Sequence, residues 1–127
     1  MPEFPHREFP HRHPEHVRFS DCDPMGHANN AVYSTYLEQA RLAVVGTLAP
    51  FILARVEIDF RAQLHAGDDI EVRTRCSRIG TKSFELEHQI WHENTLAAEA
   101  KSVLVRYDYE ARASVPLSDE QKRSLAA

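Results

Sequence analysis

The chain has 127 residues, which is enough for one domain with a small hydrophobic core. A formal net charge of -4 and the lack of a basic stripe argue against nucleic acid or an anionic membrane surface as the partner. Two cysteines, Cys22 and Cys76, are too few for a disulfide framework, and no apolar run is long enough to span a bilayer. These features predict a soluble cytoplasmic protein with free thiols.

Residues 1–15 differ in composition from the rest of the chain, because the pentapeptide Glu3–Arg7 is repeated as Glu8–Arg12. Repeated prolines disfavour helices and sheet ladders, so we expect a flexible arm followed by one domain over residues 16–127. The histidines of the arm could bind a metal, but their spacing matches no zinc pattern and solvated side chains are the simpler interpretation. They are His6, His11, His13 and His16.

A loop and a helix follow a short strand that is predicted over residues 16–20. The loop, residues 21–29, holds two aspartates, a Pro-x-Gly turn and a histidine. The helix is predicted from Asn30 to Val45, with Gly46 as its C-cap, because apolar residues recur at helical spacing. Further apolar residues widen this stripe, so we expect most of the helix to be buried. The repeating positions are Tyr33, Tyr36, Leu37, Ala40 and Val44.

Four strands are predicted after the helix, since apolar and polar residues alternate over residues 52–61, 70–77, 84–91 and 97–109. Short turns join them, which requires antiparallel neighbours. The charges along one face predict a solvated sheet surface with cross-strand ion pairs. A last helix, residues 118–125, begins with a capping box of Ser and Gln. The predicted fold is α+β, with an antiparallel five-stranded sheet wrapped around one long central helix.

Asp23 stands just before the start of the long helix. The first turn of a helix exposes unpaired N–H groups and carries a partial positive charge. A ligand carbonyl drawn to those groups would be polarised while Asp23 faced its carbon, which suits attack on an ester or thioester. Ordinary capping and turn chemistry is the alternative, because Asp, Asn, Pro and Gly are common at such positions.

The residues from Asp21 to Arg41 follow the pattern D-x-D-x-x-G-H-x-N-N-x-x-Y-x-x-Y-x-E-x-A-R. This pattern resembles that of the hotdog-fold acyl-CoA thioesterases of the 4-hydroxybenzoyl-CoA thioesterase type. The order of elements from Val17 to Tyr109 is similar to that family as well. The resemblance implies the hotdog fold and hydrolysis of an acyl-CoA thioester without metal or redox cofactor, with coenzyme A as part of the substrate.

The resemblance also implies catalytic roles for three residues. Asp23 matches the catalytic carboxylate, which acts as a nucleophile or as a general base on water. The backbone N–H of Asn30 matches the donor that polarises the thioester carbonyl. His27 either orients substrate or water near Asp23 or only hydrogen-bonds the loop. Asp21 is expected to shape the turn rather than to react.

Substrate-binding residues are expected at two places. Asn29 and Tyr33 follow Asp23 closely, although loop hydrogen bonding and core packing are the alternative roles for them. In relatives, residues at the turn near position 80 contact coenzyme A, which makes Lys82 and then Arg78 the phosphate candidates, with a solvated turn as the alternative. Thr81 and Ser83 complete the predicted set.

These inferences together predict an acyl-CoA thioesterase that forms a homodimer, or a homotetramer, since members of the family pair through a sheet edge. One alternative is a thioesterase for acyl groups held on acyl-carrier protein. The other is a non-catalytic acyl-CoA binding protein with the same fold, against which the intact Asp23 argues. Aromatic and fatty acyl groups are both compatible with the sequence.

Overall fold

A computed structural model describes residues 9–127 of the chain. Six strands and two α-helices are present in this range, together with a short 3₁₀ helix at Phe19–Asp21. In chain order the elements are β1 His11–His16, α1 Val32–Val45, β2 Phe51–Phe60, β3 Asp69–Ile79, β4 Ser83–His92, β5 Thr95–Asp108, β6 Ala113–Ser114 and α2 Asp119–Ala126.

The strands form one antiparallel sheet in the order β1-β3-β4-β5-β2, and β6 adds to β5. The predicted α+β class and the antiparallel sheet are therefore confirmed, but the prediction of five strands around one long helix is wrong. The described range holds six strands, and α1 has 14 residues. The sixth strand was missed because two residues are too few to show an alternating pattern.

The N-terminal part of the sheet lies earlier in the chain than predicted. Residues 17–20 of the predicted strand are not a strand; β1 covers His11–His16 and pairs antiparallel with β3, so residues 11–15, where an arm was predicted, belong to the sheet. Pro14 is tolerated there because β1 is an edge strand, where a missing N–H leaves no ladder bond broken. The prediction of an arm over residues 1–8 falls outside the described residues.

The helix α1 lies on one face of the sheet and packs on β1 and β3. It begins two residues later than predicted, and its buried face consists of only five side chains, whereas Leu42 on the opposite side is 38% exposed. The expectation of a mostly buried helix was wrong for this single chain. Gly46 ends the helix as predicted, with a φ of 79° and its N–H bonded to the Leu42 carbonyl at 2.8 Å. No helix in residues 9–127 is long and apolar enough to cross a membrane.

Two local predictions are confirmed at the surface. Ser118 Oγ accepts from the Gln121 N–H at 3.0 Å, and Gln121 Oε1 accepts from the Ser118 N–H at 2.8 Å, which completes the capping box of α2. Arg75 and Glu87 pair across β3 and β4 at 3.1 Å, as expected for a charged outer face of the sheet.

Strand β2 is the second edge of the sheet and is mostly exposed along its ten residues. A bulge between Leu53 and Arg55 shifts the alternation of its side chains, so that Leu53 shares the helix-side face with Val56. Several apolar side chains of this edge strand are exposed, including Phe60 at 45%. A long, apolar edge strand of this kind is a surface on which another strand can pair.

A polar network runs through the core beneath α1. Arg41 Nη1 donates to Ser102 Oγ at 3.1 Å, and His88 lies between Ser102 and Thr74, with its Nε2 and Nδ1 at 2.9 Å and 3.0 Å from their hydroxyls. All four side chains are buried. Burial, assisted by the Arg41 charge, lowers the pKa of His88 to about 3. This histidine is therefore neutral at ordinary pH.

Candidate active site

The loop that carries Asp23 is held by hydrogen bonds within itself. Asp23 Oδ1 accepts from the N–H of Met25 at 2.9 Å and from the N–H of His27 at 3.3 Å. The Asp23 backbone closes the same turn, since its N–H donates to the His27 carbonyl and its carbonyl accepts from Gly26, both at 2.9 Å. Gly26 has a φ of 83°, a conformation that favours glycine. One carboxylate oxygen of Asp23 thus fixes the loop, and no hydrogen bond to the other is found within residues 9–127.

A second aspartate ties this loop to the helix. The buried Asp21 carboxylate accepts hydrogen bonds from the Tyr36 hydroxyl at 2.8 Å and from the Arg18 N–H at 3.0 Å. Burial alone would raise the pKa of Asp21, but these bonds and the Arg18 charge bring it below its usual value. Burial and the neighbouring carboxylate raise the pKa of Tyr36. Asp21 shapes the loop, as the sequence predicted.

The start of α1 is organised by Asn29. Its Oδ1 accepts from the Ala31 N–H and its carbonyl from the Val32 N–H, both at 2.9 Å, which satisfies donors of the first turn. No hydrogen bond from the Asn30 N–H is found among residues 9–127. Asn30 is exposed on the side of the loop that Asp23 faces, so its N–H is a donor still available to a ligand.

Asp23, His27, Asn30 and Tyr33 line one open cavity of about 330 Å³. The last residue of β2 and the three residues after it close its other side, and they are Phe60, Arg61, Ala62 and Gln63. Tyr33 is buried and meets Phe60 edge-on, with ring centroids 5.0 Å apart, which makes one wall aromatic. Burial raises the pKa of Tyr33 and keeps its hydroxyl neutral. A half-buried carboxylate, a helix start and an apolar wall therefore share one space.

The side chain of His27 has a neighbour that the sequence did not predict. Its ring packs edge-on against His65, with centroids 5.2 Å apart, and the two residues form a backbone bridge. His65 in turn lies 3.8 Å from Asp68, which also approaches His92 at 3.6 Å. Within residues 9–127 no group of three or more His, Cys, Asp or Glu side chains is arranged to hold a metal ion.

The second predicted binding region lies far from this cavity within the chain. The backbone of Arg61 bonds to Ala97 at the start of β5, whereas Ser83 pairs with Val105 near the other end of that strand. Eight strand residues separate the two points, which corresponds to roughly 25 Å. The structure does not bring Arg78, Thr81, Lys82 and Ser83 to the Asp23 cavity of the same chain, and their role in binding stays a prediction.

The cavity also includes residues that sequence reasoning missed, namely Met25, Arg61 and Gln63. Arg61 is oriented by Glu99, to which its guanidinium donates at 2.9 Å and 3.1 Å. For Arg61 and Gln63 the sequence offered a signal, because they directly follow Phe60 at the end of an alternating strand. Only the pairing of β2 with β5 brings that end to the Asp23 loop.

The sequence pattern of the thioesterase-like superfamily matches residues 17–125 of the chain. The chain belongs to the thioesterase-like superfamily. Its sheet and helix have the hotdog arrangement of that superfamily. A solved thioesterase of Thermus thermophilus, complexed with coenzyme A and Zn, is 31% identical and has a TM-score of 0.86, with 93% of this chain and 92% of that chain covered.

Two further proteins are similar to this chain. An uncharacterized protein of Bacillus subtilis (strain 168), YsmA, is 25% identical over 118 residues, or 86% of this chain and 80% of that protein. A 1,4-dihydroxy-2-naphthoyl-CoA thioesterase of Synechocystis has a TM-score of 0.83 at 19% identity, with 91% of this chain and 94% of that chain covered. The latter similarity concerns the fold alone.

Proposed function

We propose that this protein is an acyl-CoA thioesterase that hydrolyses an acyl-CoA to a carboxylic acid and coenzyme A. The observation that carries the proposal is the shared cavity, in which the Asp23 carboxylate and the free N–H of Asn30 meet. The thioesterase of Thermus thermophilus that resembles this chain binds coenzyme A, which supports a thioester of coenzyme A as the substrate.

Asp23 supplies the reacting group in either of two routes. As a nucleophile, its free oxygen attacks the thioester carbon, the C–S bond breaks, coenzyme A leaves as the thiolate, and water then hydrolyses the anhydride. As a general base, it accepts a proton from the water that attacks the same carbon; the C–S bond then breaks, and the leaving sulfur of coenzyme A takes up that proton to become the thiol. Neither route requires a metal or a redox cofactor.

The start of α1 supplies the electrophilic assistance. In both routes the carbonyl oxygen gains negative charge, and the Asn30 N–H, together with the partial positive charge of the helix start, stabilises it. Asn29 keeps these N–H groups in place through its two hydrogen bonds. His27 fixes the loop through its backbone and lines the cavity, which supports a role for its ring in orienting the substrate or water.

The apolar part of the cavity fits the acyl end of the substrate. Tyr33 and Phe60 offer an aromatic wall, and Met25 is exposed at the rim. The cavity lies beside the end of β2, whose outer edge pairs with no other strand within residues 9–127. A second copy of the chain on this edge would close the cavity and exclude water from the thioester.

We propose that two chains pair through β2 and that this dimer completes the site. Antiparallel pairing of β2 with its copy about a two-fold axis places the Phe60 end of one strand beside the Phe51 end of the other. The turn that holds Lys82 and Arg78 lies at the Phe51 end of the sheet. Pairing thereby brings Lys82 of the partner subunit near the Asp23 cavity, which Lys82 of the same chain does not reach.

The test is a hydrolysis screen across acyl-CoA chain lengths and aromatic acyl groups, with Asp23→Asn measured in parallel. We expect the variant to fold normally and to lose two or more orders of magnitude in rate, on the order of the effect of removing an acid–base group. Acyl-carrier-protein thioesters in the same screen test the alternative substrate class. A variant as fast as the wild type refutes the role of Asp23, and binding without turnover identifies an acyl-CoA binding protein instead.

A further inference from the structure

A pair of tyrosines at the end of β5 lies outside the two clusters of the hydrophobic core and has no part in the proposed catalysis. Tyr107 and Tyr109 pack edge-on with ring centroids 5.0 Å apart, and Tyr109 is 61% exposed. They border a shallow surface cavity of about 390 Å³ together with Pro50 and Arg106. An exposed aromatic pair in a concave place is unusual on a surface, because such rings gain most from being covered.

The pair lies directly beside the turn that was predicted to contact coenzyme A. The Arg106 N–H donates to the Lys82 carbonyl at 2.9 Å, and the Tyr107 N–H donates to the Pro50 carbonyl at 2.9 Å. The aromatic pair is thus fixed between the start of β4 and the start of β2. Lys82 is exposed next to it and supplies a cation.

The charged groups around the cavity have both signs, and their positions distinguish a region for an uncharged group from a region for phosphates. The Asp108 carboxylate borders the cavity, but its Oδ1 already accepts from the N–H groups of Glu110 and Ala111. Arg106 donates to the Pro116 carbonyl at 2.9 Å. The aromatic rings therefore suit an uncharged planar group, whereas the exposed turn with Lys82 suits phosphates.

We propose that Tyr107 and Tyr109 form the platform on which the adenine base of coenzyme A stacks, with its phosphates directed to Lys82. This inference rests on the proposed function and on pairing through β2, which sets Pro50 and Tyr107 of the partner subunit next to Phe60 and the Asp23 cavity. One substrate molecule then spans both subunits, with its thioester on one chain and its nucleotide on the other.

The experiment compares Tyr109→Ala with Tyr109→Phe on an acyl-CoA and on the corresponding acyl-pantetheine, which lacks the nucleotide. Loss of one stacking ring is expected to raise KM for the acyl-CoA about tenfold with little change in kcat. The penalty should be at least about fivefold smaller for the acyl-pantetheine, and Tyr109→Phe should restore KM because the ring is retained. Equal penalties on both substrates, or none on either, overturn the proposal.

A binding measurement separates this inference from the proposed catalysis. Calorimetric titration with 3′-phosphoadenosine 5′-diphosphate, the nucleotide half of coenzyme A, is applied to the wild type and to Tyr109→Ala. About tenfold weaker binding by the variant supports the platform even if no thioester is hydrolysed. A wild-type chain that does not bind this nucleotide, or a variant that binds it equally well, refutes the platform whatever the hydrolysis screen shows.

Discussion

The Tyr36 hydroxyl donates a 2.8 Å hydrogen bond to the buried Asp21 carboxylate and so joins α1 to the loop that carries Asp23. The two residues are 15 positions apart, and each comes from a different side of the proposed site. Because Asp23 and Asn30 belong to the loop and the helix start, this bond helps to hold the carboxylate and the N–H of the proposed site in position.

Replacing Tyr36 by Phe should reduce the free energy of unfolding by about 1.5–3 kcal/mol, the range for a hydrogen bond to a charged group. The reason is that Asp21 stays buried and charged but loses one donor. Urea unfolding of the variant measures the loss. Tyr109→Phe removes an exposed hydroxyl and should change stability by less than about 0.5 kcal/mol. Equal stability of the two variants would show that the Tyr36 bond contributes nothing.

Two glycines with similar backbone angles give a matched test of the Asp23 loop. Gly26 and Gly46 have φ values of 83° and 79°, and an added Cβ would meet nothing within 4 Å at either position. Each change to Ala should therefore cost about 1–2 kcal/mol from backbone strain alone. Only Gly26→Ala should also reduce kcat, by roughly tenfold or more, because a small displacement of a catalytic group is costly. Thermal unfolding and steady-state kinetics together test this, and equal kcat in both variants contradicts it.

His88 predicts a pH dependence of stability whose sign follows from its lowered pKa. The folded chain keeps His88 neutral down to about pH 3, whereas the unfolded chain binds a proton at an ordinary histidine pKa of about 6.5. The contribution of His88 to the free energy of unfolding is complete above pH 6.5. It falls by about 1.4 kcal/mol per pH unit as the pH drops toward 3. Between pH 7 and pH 5 the wild type should lose about 2 kcal/mol more than His88→Gln. Parallel urea-unfolding curves over this range would contradict the assignment.

If two chains pair through β2, a charged side chain introduced on that strand should weaken the dimer. Val56 on β2 and Ile79 at the end of β3 are 38% and 37% exposed, so they form a matched pair. Val56→Lys places a charge where the second copy would dock and should shift the wild-type oligomer to monomer, whereas Ile79→Lys should not. Light scattering coupled to size-exclusion chromatography measures both. A wild-type monomer, or an oligomeric Val56→Lys, refutes this interface.

The sequence predicted the elements whose signals are local. The helix around Tyr33 and Tyr36, its end at Gly46 and the capping box at Ser118 all depend on residues within a few positions of each other. The motif around Asp23 was visible for the same reason. The strand at His11–His16 was not predicted, because prolines are compatible with a strand only where the tertiary structure makes it an edge.

What the sequence determined by itself was the antiparallel α+β fold and the placing of Asp23 before a helix. Only the tertiary structure decided that Phe60 and Arg61 close the Asp23 cavity and that Lys82 lies at the other end of the sheet. The physical reason is that alternation along a strand reports which face is buried, whereas the register and neighbours of that strand depend on pairing with residues far away in the chain.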